Sequence, residues 1–361
     1  MALADGRLRL QRAGAAPAAL ADVRLRLVRD GGTLRAGAAL DGRGPAAGGE
    51  AVAAAAWDPA RPGEARLFTR FAGLPAAPLA AALGLAGADG RLAGRLWVPW
   101  QDGRPAGAYG ALALRGGALE AQGTWPGLAG ISARLGLHGR RLEGRVAAGA
   151  GELRYPRLFD HPLPLEAASA RVRARLGADG RWRLGAERVR VATPDGRAAA
   201  RVEIEGGRGG PRLDVRAAVE GVEAAAVPRY VPAGVTPPEV RRWLGTALQG
   251  GRVARADLLF HGDPADFPFD GQEGVFAVDA AVRGGVLRYA PGWPAITGID
   301  AALRFRGARL AIEGAGRTAG VALRGVEVAI ADLRRPRLAV AGQARDRKST
   351  RLNSSHYRTS R

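Results

Sequence analysis

WPGLAGISARLGLHGRRLEG, from Trp125 to Gly144, and WPAITGIDAALRFRGARLAI, from Trp293 to Ile312, stand 168 residues apart and carry one pattern. They agree at Trp-Pro, at a branched aliphatic residue, at Gly-Ile, and then at Ala, Leu, Gly and Leu. Between these anchors apolar and polar residues alternate, the period of a strand with one face turned away from water. A self-similar unit in fixed register predicts a supersecondary module that is copied and stacked. Function then lies along an extended surface and not in a single pocket.

Outward from the repeat, strict alternation runs from Arg7 to about Leu333 in strand-length segments split by Gly-containing turns. Ala170-Arg171-Val172-Arg173-Ala174-Arg175-Leu176 sets three arginines on one face and four apolar side chains on the other. Hairpins are predicted for Val23 to Val28 with Thr33 to Ala38, Ala111 to Leu114 with Ala118 to Gln122, and Ala301 to Phe305 with Arg309 to Ile312. Roughly twenty strands follow from this spacing. The repeat boundary divides the chain into a first β-repeat region, 1–150, and a second, 151–345. Two helices interrupt the strands. Thr236-Pro237-Pro238-Glu239 reads as a capping box with proline at the first helical position, and Val240, Trp243, Leu244, Ala247 and Leu248 follow at helical spacing. This helix, near 237–248, is expected to bury Trp243 and Leu244, with Trp243→Ala costing about 3 kcal/mol. Pro78 to Leu83, ended by Gly84, is the shorter second helix.

Residues 346–361 do not share the pattern. The chain's only lysine, Lys348, and only asparagine, Asn353, fall there with four of its six serines. DRKSTRLNSSH, Asp346 to His356, resembles the direct translation of a common short-read sequencing adapter. This tail is therefore read as an assembly artefact, unstructured and without tertiary contacts, and the natural chain is expected to continue past about Arg345. Its charges account for +4 of the net charge of +20, leaving +16.

With 47% hydrophobic and 24% charged residues in 361, the composition is that of a folded chain. The absence of cysteine excludes disulfides, thiolate metal sites and a cysteine nucleophile. No apolar run reaches the roughly 20 residues of a membrane-spanning helix. Gly206-Gly207-Arg208-Gly209-Gly210 lacks the lysine and hydroxyl of a phosphate loop and reads as a turn. Asp263, Asp266, Asp270 and Glu273 fit no calcium-loop spacing and read as local caps. His138, His161 and His261 stand apart from any serine or carboxylate at catalytic spacing. No catalytic residue, metal site or cofactor is expected, and the chain is not read as an enzyme. For the arginines a solvated face is the leading reading, anionic lipid headgroups the second. Nucleic acid is not expected, because the tryptophans lie away from the densest arginine segments.

From Pro228 to Ile312 an ordered set of short motifs appears: Arg229-Tyr230-Val231-Pro232, Arg242-Trp243-Leu244, Ala247-Leu248, Gly250-Gly251 and Leu258-Leu259-Phe260-His261-Gly262. Phe267-Pro268-Phe269, Gly274-Val275-Phe276, Tyr289-Ala290-Pro291 and Trp293-Pro294 complete it. Leu153-Arg154-Tyr155-Pro156, Phe159-Asp160 and Pro162-Leu163-Pro164-Leu165 form a preceding unit. The set resembles the YhdP-type branch of the AsmA-like proteins of Gram-negative envelopes. The resemblance implies a mainly β fold, an elongated, curved antiparallel sheet array with a hydrophobic groove and one or two short helices. It implies a fragment of a periplasmic protein, held in the inner membrane by an N-terminal anchor missing from this sequence. Such a protein moves phospholipid between the inner and outer membranes and supports the outer-membrane permeability barrier. Its partners are phospholipid acyl chains. Alternation assigns Val172, Ala174, Phe276, Val278, Leu303, Phe305 and Leu323 to one concave apolar face, with Arg171, Arg173, Arg304 and Arg324 turned to water. Phe276 stands as a mid-groove position in this expectation. The competing expectation is a structural β-solenoid or adhesin-like passenger with a closed core.

Overall fold

The computed structural model describes residues 2–10, 18–40 and 49–345, apart from 62, 83–86, 124, 178, 208–209, 235 and 272. The adapter-like tail and the middle of the Gly206–Gly210 run lie outside the described residues. Strands β1 (Ala2–Leu10), β2 (Ala18–Asp30), β3 (Thr33–Leu40), β4 (Glu50–Trp57) and β5 (Ala65–Pro75) lead to helix α1 (Ala77–Ala82). β6 (Asp89–Gln101), the two-residue β7 (Arg104–Pro105), β8 (Ala108–Leu119), β9 (Gly127–Gly139) and β10 (Arg141–Ala148) follow. Next come β11 (Gly151–Arg154), β12 (Leu163–Leu165) and β13 (Ala167–Leu176). β14 (Trp182–Thr193), β15 (Gly196–Gly206) and β16 (Arg212–Glu223) precede the helices α2 (Val227–Tyr230) and α3 (Pro238–Ala247). The chain continues through β17 (Leu248–Gly262), β18 (Val275–Leu287), β19 (Ile296–Arg306), β20 (Arg309–Thr318), β21 (Val321–Ile330) and β22 (Leu338–Arg345). The four-residue α2 adds to the two helices the sequence predicts.

Two compact units result: Met1–Gly151 with Arg171–Gly180, and Glu152–Ala170 with Arg181–Arg361. In the first, strands adjacent in sequence pair antiparallel from β1 to β6, then β6 with β8, β8 with β9 and β9 with β10. β7 turns back on the end of β6. In the second, each strand from β14 to β22 pairs antiparallel with the next. Among the described residues neither series closes on its first strand, so neither run of strands forms a barrel. The fold is mainly β and antiparallel, as alternation and short Gly turns dictate.

The internal repeat is a repeat of hydrogen-bond register. In β8 and β9, Leu112 faces Leu135, Gly117 faces Ile131 and Leu119 faces Leu128. The positions 168 residues on, in β18 and β19, pair the same way: Ala280 with Leu303, Gly285 with Ile299 and Leu287 with Ile296. A bulge precedes each paired glycine, and its hinge is Gly116 at φ 58° in one copy and Gly284 at φ 61° in the other. An extra residue in the left-handed region kinks the strand without ending it. This corrects the hairpin expected between Leu114 and Ala118: Gly116-Gly117 is a bulge inside one strand, β8.

Strand burial alternates between half-buried and exposed, as in β20, and seldom reaches full burial. Among the described residues no large side chain is fully buried. The most enclosed residues are small or lie where loops cross the sheet, such as Ala247 (0% exposed), Ala224 (5%) and Leu163 (8%). A one-layer sheet gives this result, because side chains on each face meet only neighbours of their own strand row.

The crossover from β16 to β17 is tied to the rest of the second unit by hydrogen bonds and ion pairs. Tyr230 donates its hydroxyl proton to Asp195 Oδ2 at 2.7 Å, and Arg229 pairs with the same carboxylate at 2.5 Å. Arg241 of α3 pairs with Asp160, and the backbone N–H of Ala233 donates to Leu158 O. The capping box is not formed: Pro237 occupies the N-cap, with no side-chain cap bond, and α3 ends at Ala247 so that Leu248 pairs with Leu287 in the sheet. Trp243 is not buried either. It is 38% exposed, donates its indole N–H to Tyr289 O at 2.8 Å and meets the Tyr289 ring edge-on at 5.9 Å. The deep position of the helix belongs to Ala247, which fits against the sheet because it is small.

Candidate functional site

Directly paired residues of antiparallel strands project from the same face. Followed across the second unit, the pairings therefore trace rows of side chains. One row runs Val189, Ala200, Ala217, Leu258, Val278, Phe305, Leu310, Ile330, Leu338. Its neighbour on the same face runs Val191, Ala198, Val219, Ala256, Ala280, Leu303, Ile312, Val328, Val340. Nine strands contribute to each, and every position is apolar. At about 4.8 Å between strands, the two rows form a hydrocarbon stripe about 40 Å long. These side chains are half-buried along the stripe, and at its β22 end Leu338 and Val340 are 38% and 44% exposed.

A third row, Ala186, Val202, Val215, Phe260, Phe276, lies toward the opposite rim from α3. There the 263–274 loop turns back over the face. Phe269, 9% exposed, packs edge-on against Phe260 at 5.2 Å, and Phe267 against Phe276 at 5.2 Å. Asp263 and Asp270 hold this loop. Asp263 accepts the Ala265 N–H at 2.9 Å, and Asp270 pairs with Arg334 at 2.6 Å. Phe276 thus sits in an aromatic cluster at the strand ends, away from the middle of the stripe where the sequence expectation set it.

The other face of the same strands is ionic. Arg255 pairs with Asp257 at 2.6 Å, Arg304 with Glu313 at 2.7 Å, Arg306 with Asp279 at 2.7 Å and Arg183 with Glu205 at 2.5 Å. The hydrogen bond from Arg255 holds the Asp257 carboxyl below the usual carboxylate range. These pairs are exposed, so each adds little to stability. Their larger effect is to fix which face meets water.

Of the seven residues singled out from sequence, Phe276, Val278, Leu303, Phe305 and Leu323 lie in the second unit. Val278 faces Phe305, Leu303 faces Ile312, Phe276 faces Phe260, and Leu323 faces Gly316 of the stripe strand β20. Val172 and Ala174 are half-buried between exposed arginines on β13, within the Arg171–Gly180 segment of the first unit. Leu258, Leu310, Ile312, Val328 and Ile330 belong to the stripe and were not singled out. Their signal is the same alternation, carried over bulges that shift its phase, as between Gly314 and Gly316. Among the described residues no helix is long and apolar enough to cross a membrane, which leaves open what strands do.

The model of the YhdP protein family matches residues 111–356, more than half of the chain. That range covers β8 through β22 and runs into the adapter-like stretch. A curated relative, the intermembrane phospholipid transporter YhdP of Escherichia coli (strain K12), is 32% identical over 95 residues. The alignment takes in 26% of this chain and 8% of that protein, so the chain corresponds to a small part of the relative's length. No solved structure matches.

Proposed function

The chain belongs to the YhdP family, and from that premise we propose that it forms a segment of an envelope protein whose apolar stripe carries phospholipid acyl chains. The observation that supports this is the pair of all-apolar rows across β14–β22, whose side chains are half-buried and, among the described residues, carry no second layer of the same unit over them. An uncovered apolar surface of that length is far from what a protein in water leaves empty. Each methylene that an acyl chain transfers from water to such a wall stabilises the complex by about 0.8 kcal/mol. Movement along the wall needs no catalytic group, since every position of a row offers the same contact. The bulges bend the strands, and we take the stripe to be the floor of a groove in which headgroups stay in water while tails lie against the rows. In the full-length protein the anchor is placed in the inner membrane and the groove in the periplasm, with transfer toward the outer membrane and support of its permeability barrier. An enzymatic role is not part of this reading. The closed-solenoid alternative needs side chains sealed in a core, and the half-buried rows count against it.

The experiment is a transfer assay with fluorescent phospholipid between donor and acceptor vesicles. Leu303→Asp sets a carboxylate in the middle of the second row, where an unpaired charge meets hydrocarbon. Transfer should fall at least tenfold, whereas Arg304→Asp, one residue away on the ionic face, should stay within about twofold. Wild-type transfer by a folded Leu303→Asp protein would remove the proposal.

A further inference from the structure

The ionic faces of the two units differ in one respect. In the second unit several arginines, among them Arg183, Arg255, Arg304 and Arg306, are paired with carboxylates. From Ala65 to Gly139 there are seven arginines, and the three carboxylates, Asp89, Asp102 and Glu120, all stand at strand ends or turns. Arg70 faces Arg95 directly across β5 and β6. Neither makes an ion pair or hydrogen bond among the described residues, and both are exposed. Like charges directly opposite each other on neighbouring strands destabilise a sheet, so this pair has no structural rationale within the unit. Glu143 ends the same row, after Ala111 and Gly136, about 14 Å from Arg95 at ordinary strand spacing.

The adjacent row on that face is aromatic. Phe68 faces Trp97, Trp97 faces Tyr109, and Tyr109 faces His138. Trp97 and Tyr109 are each 47% exposed, and the Phe68 and Trp97 rings lie 5.0 Å apart, tilted by 48°. Arg66, opposite Pro99, flanks this row on its other side. A cavity of about 350 Å³ opens here, lined in part by Ala54, Phe68, Trp97, Pro99 and Arg66.

We propose that this face of the first unit docks on the surface of a bilayer containing anionic phospholipid, with Arg66, Arg70 and Arg95 on headgroup phosphates and Trp97 and Tyr109 at the interface. Charge complementarity carries the choice of occupant: uncompensated guanidinium groups are attracted to an anionic leaflet. Half-exposed Trp and Tyr beside them are the side chains that favour the boundary between water and hydrocarbon. Nucleic acid fits less well, because the tilted Phe68–Trp97 pair offers no parallel platform on which successive bases stack. Within the first unit this is the side of the strands opposite Leu67, Val98, Leu112 and Leu135, and the proposal does not rest on acyl-chain transport.

The test is co-sedimentation of the chain with sucrose-loaded vesicles of phosphatidylcholine alone or with one quarter phosphatidylglycerol. Wild type should bind the anionic vesicles at least tenfold more tightly, with affinity falling as salt rises. Arg70→Gln with Arg95→Gln should lose about tenfold and keep its melting temperature, since a like-charge pair is removed. Arg183→Gln with Arg306→Gln removes the same charge from the second unit and should change binding less than twofold. Equal loss in both double variants would reduce the effect to net charge and overturn the proposal. So would equal binding to both vesicle types, or capture of a thymidine oligonucleotide, in preference to vesicles, that depends on Arg70 and Arg95.

Discussion

Gly251 and Gly285 show how single residues set the sheet's geometry. Gly251 has φ 94°, and a Cβ added there would lie 2.5 Å from Gly285 Cα. The first copy repeats the contact, with a Cβ on Gly90 2.8 Å from Gly117 Cα. Gly251→Ala should therefore cost about 3 kcal/mol, combining a strained backbone with a displaced neighbour strand. Gly284→Ala, at φ 61° with open space around it, should cost about 1 kcal/mol. Urea denaturation midpoints of the two variants check the order, and equal costs would show that the close approach does not constrain the strands. At Trp243 the 38% exposure and single hydrogen bond lower the expected loss for Trp243→Ala to about 2 kcal/mol, against the 3 that a core position implies. The helical spacing that marks Trp243 as apolar-facing was legible; the contact with Tyr289, 46 residues away, was not.

Among the elements, the β16–β17 crossover carries a titratable lock. Burial raises the Tyr230 hydroxyl above its ordinary value, and the neighbouring Asp195 carboxylate adds to the rise. The unfolded chain ionises this group near pH 10, so the contribution of the neutral hydroxyl is fully present below that pH. It is lost as pH rises from there through the folded value, because the unfolded state then binds fewer protons. Stability measured by urea between pH 8 and 11 should fall more steeply in wild type than in Tyr230→Phe; parallel curves would show that the lock does not titrate. Strands were the most legible elements, since a period of two together with a Gly turn leaves few alternatives, as at Ala301–Phe305 and Arg309–Ile312. The bulges were not, because Gly116-Gly117 has the composition of a turn, and only the pairing of Leu114 with Ala133 and of Gly117 with Ile131 shows that the strand continues. The α3 cap failed for a similar reason: two prolines move the first turn by one residue and leave Thr236 outside it.

For the whole molecule, the sequence carries the two-faced character of the strands in full and the identity of the face only by alternation. Val278 and Phe305 were legible as partners in kind; that Val189 and Leu338 close the same row depends on eight successive registers, each able to slip by a residue at a bulge. The central claim is that the apolar rows of the second unit, and not its ionic face, meet acyl chains. A photo-reactive phenylalanine analogue at Phe305, at Val278 or at Arg304 tests it in cells of a Gram-negative host, with mass spectrometry of the purified adducts. The account predicts phospholipid adducts at Phe305 and Val278 and at most a tenth of that yield at Arg304. Equal yields at all three positions, or none at Phe305 and Val278 in a folded protein, would contradict it.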